Sequence, residues 1–198
     1  MISMTNRMLI FGMGYVGSRI AHALEADSWN VDGIGRNTPQ DVPAAIASAT
    51  HILSTVAPEG DVDPILAAYG DALKSCGAQW IGYISSTGVY GDTGGAWIDE
   101  SAPIGSGRRG ARVAADLEWQ ALGAHVFRLP GIYGPGRSAL DRVRAGRAHR
   151  IDLPQQVFSR IHVDDIVCAI RASFGRYAGV FNISDDRPAS QNAVIEHA

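Results

Sequence analysis

Two periodicities alternate along the chain. Met8 to Phe11 is a short unbroken apolar run, the pattern of a strand buried on both faces. Gly17 to Glu25 follows with Ile20, Ala21 and Leu24 at helical spacing. Val31 to Gly35 reads as a second strand and Ile52 to Val56, rich in β-branched residues, as another. Asp63 to Ser75 reads as a helix opened by Asp and Pro, and Trp80 to Ser85 as a strand. Next come a helix over Gly110 to Leu122, a strand over His125 to Leu129, a short helix over Ser138 to Ala145 and a helix over Asp164 to Ser173. Val180 to Ile183 is a late strand, and VIEHA reads as the first turn or two of a helix. Strand and helix in alternation predict an α/β fold, a doubly wound parallel sheet with helices on both faces.

Two places look thin. About fifteen residues separate Arg36 from His51, little room for both a helix and a third strand. That spacing, and an ending inside a helical pattern, predict missing segments near 37–50 and after 198. The 198 residues otherwise fit one domain.

Composition narrows the partners. A net charge of −3 gives no electrostatic reason to expect nucleic acid or an anionic membrane. No apolar run approaches the ~18 residues of a membrane span, and the apolar run near the start turns at once into a glycine motif, unlike a signal peptide. A cytoplasmic location is therefore expected. The two cysteines, Cys76 and Cys168, form neither a disulfide framework nor a metal-ligand spacing, and both are expected to be buried thiols.

The first chemical signal is Gly12-Met13-Gly14-Tyr15-Val16-Gly17, after a strand and opening a helix. In the Rossmann fold Gly12 would permit the tight turn, Gly14 the close approach of a pyrophosphate, and Gly17 close helix–strand packing. The phosphates would sit on the helix N-terminus, where free N–H groups and the dipole favour negative charge. A glycine-rich turn without a ligand is the bland alternative. About twenty residues on, the second strand ends at Arg36-Asn37. An Arg there suits a 2′-phosphate, whereas Asp32 lies too early to hold a ribose hydroxyl, so NADP is expected ahead of NAD. Arg36 could equally be a solvated loop charge.

The second signal is SSTGVYGD, Ser85 to Asp92, at the C-terminal end of a predicted strand. With it go Val56-Ala57-Pro58, WIDESAP (Trp97 to Pro103), RLPGIYGPGR (Arg128 to Arg137), SRIHVDDIV (Ser159 to Val167) and FNISDD (Phe181 to Asp186). In this order the chain resembles the short-chain dehydrogenase/reductase superfamily, in its extended branch of NAD-dependent epimerases and dehydratases. The resemblance implies a Rossmann-type NAD(P)-binding domain with a small substrate-side portion from about residue 131 onward. It implies that Ser86 hydrogen-bonds the reacting oxygen, with Thr87, Tyr90, Arg137 and His162 on the substrate side. Ser85, Val56, Ala57, Pro58 and Pro130-Gly131-Ile132 would line the cofactor, with Tyr133 ending the segment that closes over the nicotinamide. Ser86 as a strand terminator, Asp164 or Asp165 as a helix cap and His162 as a structural residue remain open alternatives.

One departure bears on activity. Aligned on SGRRGARVAADLEW, the Tyr-x-x-x-Lys pair of the extended branch becomes Arg108 and Arg112. A guanidinium cannot replace the phenol in proton transfer at neutral pH. The chain thus resembles atypical members with the glycine loop and without the pair. They imply either an oxidoreductase acting on a carbinol or carbonyl carbon, with Ser86, Arg112 on the ribose and a phenol such as Tyr90 or Tyr133, or a non-catalytic NADP-binding redox sensor. The substrate is a small molecule of open identity, and the resemblance implies a homodimer through helices near Ala67 and Arg112. The GMGYVG loop also resembles UDP-sugar dehydrogenases, but neither Cys76 nor Cys168 lies in a nucleophile context.

Overall fold

The computed structural model describes residues 6–36, 41–105, 110–152 and 156–198. Six parallel strands form the main sheet: β1 (Arg7–Phe11), β2 (Asn30–Ile34), β3 (His51–Ser54), β4 (Trp80–Ser86), β5 (His125–Leu129) and, late in the chain, Val180–Asn182. The helices between them are α1 (Tyr15–Ala26), α2 (Val42–Ser48), α3 (Pro64–Ser75) and α4 (Gly110–Ala121). Beyond β5 come β6 (Gly131–Tyr133), α5 (Ala139–Arg144), β7 (Arg160–His162), α6 (Val163–Ser173), the late strand as β8, and α7 (Gln191–His197). The order across the sheet is β2-β1-β3-β4-β5-β8, and β6 and β7 form a separate parallel pair.

The apolar run of β1 explains the layering. Met8 and Ile10 face a core with Ile20, Leu24, Ile166 and Ile170 of α1 and α6. Leu9 and Phe11 face the opposite core with Val42, Ile46, Leu73 and Trp119 of α2, α3 and α4. The sheet is therefore doubly wound, as the alternation predicts. Among the described residues the crossover between β2 and β3 contains the short helix α2, capped by the Asp41 side chain on the Ala44 N–H. The chain then enters β3, which pairs with β1; residues 37–40, where part of the suspected missing segment would fall, lie outside the described residues. Cys168 is also corrected, because it lies on the solvent face of α6, while Cys76 is half-buried. Among the described residues no helix is long and apolar enough to cross a membrane.

Chain order reverses between β1 and β3. From β1 the chain moves outward to β2, and from β3 it moves the other way to β4. Ligands of open α/β sheets sit at such a switch point, outside the C-terminal ends of the strands. At the opposite end, His51, Trp80 and His125 open or nearly open β3, β4 and β5, with Trp29 and Phe174 against them. Burial lowers the pKa of both histidines below the ordinary 6.5.

A histidine held neutral by the fold binds its proton first in the unfolded chain. Stability is therefore complete above pH 6.5 and falls as pH drops below it. Thermal unfolding between pH 7.5 and 5.5 should show a falling midpoint, with a shallower fall in His51→Phe/His125→Phe. An identical slope in that double variant would contradict the assignment.

Candidate functional site

The glycine loop joins β1 to α1. Gly12 has φ +92°, its N–H donates to the Ile34 carbonyl, and its carbonyl accepts from Thr55 Oγ1 at 2.7 Å. A β-carbon at Gly17 would collide with the Gly12 carbonyl oxygen, so only glycine lets α1 start this close to the strand. At Gly14 a β-carbon would meet nothing within 4 Å. That emptiness lies at the N-cap of α1, which has no side-chain cap hydrogen bond. Side chains of Asp41, Asp63, Ser138, His162 and Ser190 cap α2, α3, α5, α6 and α7. The first turn of α1 thus keeps its donors and its positive dipole end for something outside the chain.

It opens into a cavity of about 280 Å³ lined by Gly14, Tyr15, Val16, Thr55, Ala57, Ile84, Ser85, Ser86, Arg112, Leu129, Pro130, Ile132 and Arg137. The walls come from the C-terminal ends of the central strands and from α4. Two arginines and no carboxylate are among these residues. Arg112 makes no hydrogen bond or ion pair among the described residues.

Ser86 and Ser85 behave differently. The Ser86 hydroxyl accepts the Gly88 N–H at 3.1 Å, capping a 3-10 turn over Thr87–Tyr90. Its own proton has no acceptor among the described residues. Ser85 is buried and donates to Asp116 Oδ2. Asp116, fully buried, also takes two hydrogen bonds from Arg128, at 2.8 and 3.1 Å, and one from Gln120. Arg128 in turn donates to the Tyr90 hydroxyl at 2.8 Å, and Tyr90 donates to Asn182 Oδ1. Burial opposes charge on Arg128, but hydrogen bonds to Asp116 and Tyr90 and the Asp116 charge outweigh it and raise its pKa. Asp116 lies one helical turn after Arg112, so the buried pair fixes the face of α4 that presents Arg112 to the cavity.

Several expected positions differ. Tyr90 is buried, with its hydroxyl between Arg128 and Asn182, and is not among the cavity-lining residues. Tyr133 and His162 meet edge to face on the β6–β7 pair, outside the cavity lining. Burial, then Asp185 and Asp165, raise the Tyr133 pKa, which opposes a role as base. His162 Nδ1 accepts the Asp164 N–H and so caps α6 itself, while Asp164 pairs with Arg19 at 2.6 Å. Thr87 lies in the 3-10 turn, Val56 packs beside Gly12, and Gly131 pairs with Arg160; with Pro58 they lie outside the cavity lining. Met13 covers Gly33. Arg36 is exposed and pairs with Glu59 at 3.6 Å, and Asp32 is held by Arg7 at 3.1 Å. Asn37 and Arg108 lie outside the described residues. Sequence reasoning missed Thr55, Ile84 and Leu129 of the lining and the Asp116–Arg128 pair; the i, i+4 spacing from Arg112 was the available signal for Asp116.

This is the Rossmann-type α/β fold of solved NAD-binding proteins. MoeE5, in complex with UDP-glucose and NAD, has a TM-score of 0.77 at 19% identity, over 96% of this chain and 80% of its own. TunA, an NAD-dependent NDP-hexosamine 5,6-dehydratase of tunicamycin biosynthesis, has 0.76 at 19% identity, over 97% and 80%. No family model matches the chain. It belongs to the same family as a functionally unknown conserved protein from Silicibacter pomeroyi DSS, with 39% identity and a TM-score of 0.88 over 98% of this chain and 77% of that one. It is also 27% identical to protein YeeZ of Escherichia coli K12, over 83% of this chain and 71% of YeeZ.

The buried pair yields a test. Asp116→Ala would strand the Arg128 charge and should cost about 3–5 kcal/mol in denaturant unfolding. Replacing both partners, as Asp116→Leu/Arg128→Met, should recover most of that loss. Equal stability of Asp116→Ala and the unmodified protein would refute the pairing.

Proposed function

We propose that the cavity binds a nicotinamide dinucleotide, its diphosphate on the first turn of α1 and its nicotinamide end toward Ser86 and Arg112. The observation that carries this is the uncapped α1 N-terminus opening, past the empty side of Gly14, into a cavity with two arginines and no acid among its lining residues. The residues present therefore fit an anionic dinucleotide. MoeE5, solved with UDP-glucose and NAD, and TunA, an NAD-dependent dehydratase, support the same reading. We propose NADP ahead of NAD, since Arg36 can leave its exposed contact with Glu59 for a 2′-phosphate.

Bound there, the dinucleotide would supply hydride exchange with a carbinol or carbonyl carbon. Ser86, whose oxygen is occupied by the Gly88 N–H, would point its proton at the substrate oxygen. Arg112 would hold ribose hydroxyls with a charge that stays on at any working pH. Ser85 has its proton committed to Asp116 and serves as wall. The one phenol among the cavity-lining residues, Tyr15, has its hydroxyl on the Pro135 carbonyl. That observation, with Arg108 where the extended branch has its tyrosine, favours a second reading: a non-catalytic NADP-binding redox sensor.

Calorimetric titration tests binding. NADPH should bind more tightly than NADH by about 1.5–3 kcal/mol, the range of charge-assisted hydrogen bonds. Gly14→Val should keep the fold, since nothing surrounds that β-carbon, and lose the dinucleotide. Ser86→Ala should bind as the unmodified protein does. Unchanged binding in Gly14→Val would sink the proposal. A broad screen for NADPH consumption separates the two readings: robust turnover lost in Ser86→Ala supports the enzyme, and none supports the sensor.

A further inference from the structure

The turn at residues 134–137 packs against the first residue of α1. Its closing hydrogen bond runs from the Arg137 N–H to the Gly134 carbonyl at 2.9 Å. Gly134 is buried at φ +152°, and a β-carbon there would lie 2.6 Å from the Tyr15 hydroxyl and 2.8 Å from Val163. No larger residue fits, so the turn rests directly on Tyr15. The Tyr15 hydroxyl donates to the Pro135 carbonyl at 3.1 Å, and the Arg137 guanidinium lies 5.5 Å above the Tyr15 ring. Tyr15 belongs to the uncapped turn of α1. Arg137 is thereby held at the glycine-loop end of the cavity, whereas Arg112 is indexed by Asp116 toward the serines. Among the described residues Arg137 has no carboxylate partner.

A planar guanidinium fork matches two neighbouring phosphate oxygens. We infer that Arg137 is a binding residue for the diphosphate of the dinucleotide, gripping it from the side opposite the glycine loop, and that the 134–137 turn is the clamp that carries it. This reassigns Arg137 from the substrate side to the cofactor. It rests on the reading that the cavity holds a dinucleotide.

The test compares NADPH with ADP-ribose, which keeps the diphosphate and lacks the nicotinamide. Arg137→Ala should weaken both by roughly tenfold or more, the scale of a lost charge-assisted hydrogen bond, with an unchanged unfolding midpoint. Arg137→Lys, a point charge without the fork, should recover part of the affinity, and Tyr15→Phe should weaken both ligands several-fold through the lost Pro135 contact. Wild-type affinity of Arg137→Ala for NADPH overturns the clamp while leaving the dinucleotide reading intact. So does a loss confined to NADPH with ADP-ribose unaffected, which would put Arg137 at the nicotinamide end. Failure of the unmodified protein to bind either ligand overturns both readings.

Discussion

The carbonyl of Gly12 and the backbone of Gly17 approach so closely that no side chain fits between them, and the site depends on that approach. It brings α1 down onto the end of β1 with its first turn aimed across the switch point of the sheet. A helix start in that position needs partners for its free N–H groups. At α2, α3, α5, α6 and α7 the chain supplies them from Asp, Ser or His side chains, and at Gly14 it supplies none. The positive end of the α1 dipole thus lies beside the open side of Gly14, and the cavity it faces is lined by two arginines.

The opposite wall rests on a different constraint. A buried carboxylate and guanidinium tolerate each other only when hydrogen bonds satisfy both. Asp116 and Arg128 meet that condition with each other and with Ser85, Gln120 and Tyr90. The network joins α4, β4 and β5 at the cavity floor. It commits the Ser85 proton, while the Ser86 hydroxyl accepts the Gly88 N–H and its proton has no acceptor among the described residues, so two adjacent serines acquire different chemistry from their surroundings.

The glycine loop was legible in the sequence because its chemistry is local: strand, turn and helix start lie within about a dozen residues. The layers of the sheet were legible for the same reason, since β1 declares two buried faces in four residues. What depended on distant partners was not. Tyr90 looked like a free phenol until Arg128 and Asn182 came to it through the fold. β6 and β7, three residues each, are too short for a period to show. Cys168 follows Val167 of the core and precedes Ala169 on the helix, and only the docking of α6 decides which of them faces solvent.

Backbone amide resonances report directly on the anion site proposed for a dinucleotide at the first turn of α1. In a nitrogen-15 titration with NADPH, the amides of Tyr15, Val16 and Gly17 should shift with the largest amplitudes and a single dissociation constant. The Arg19 and His22 amides, on the outer groove of the same helix, should move far less. Saturating NADPH that leaves Tyr15, Val16 and Gly17 unshifted would contradict an anion site on that turn.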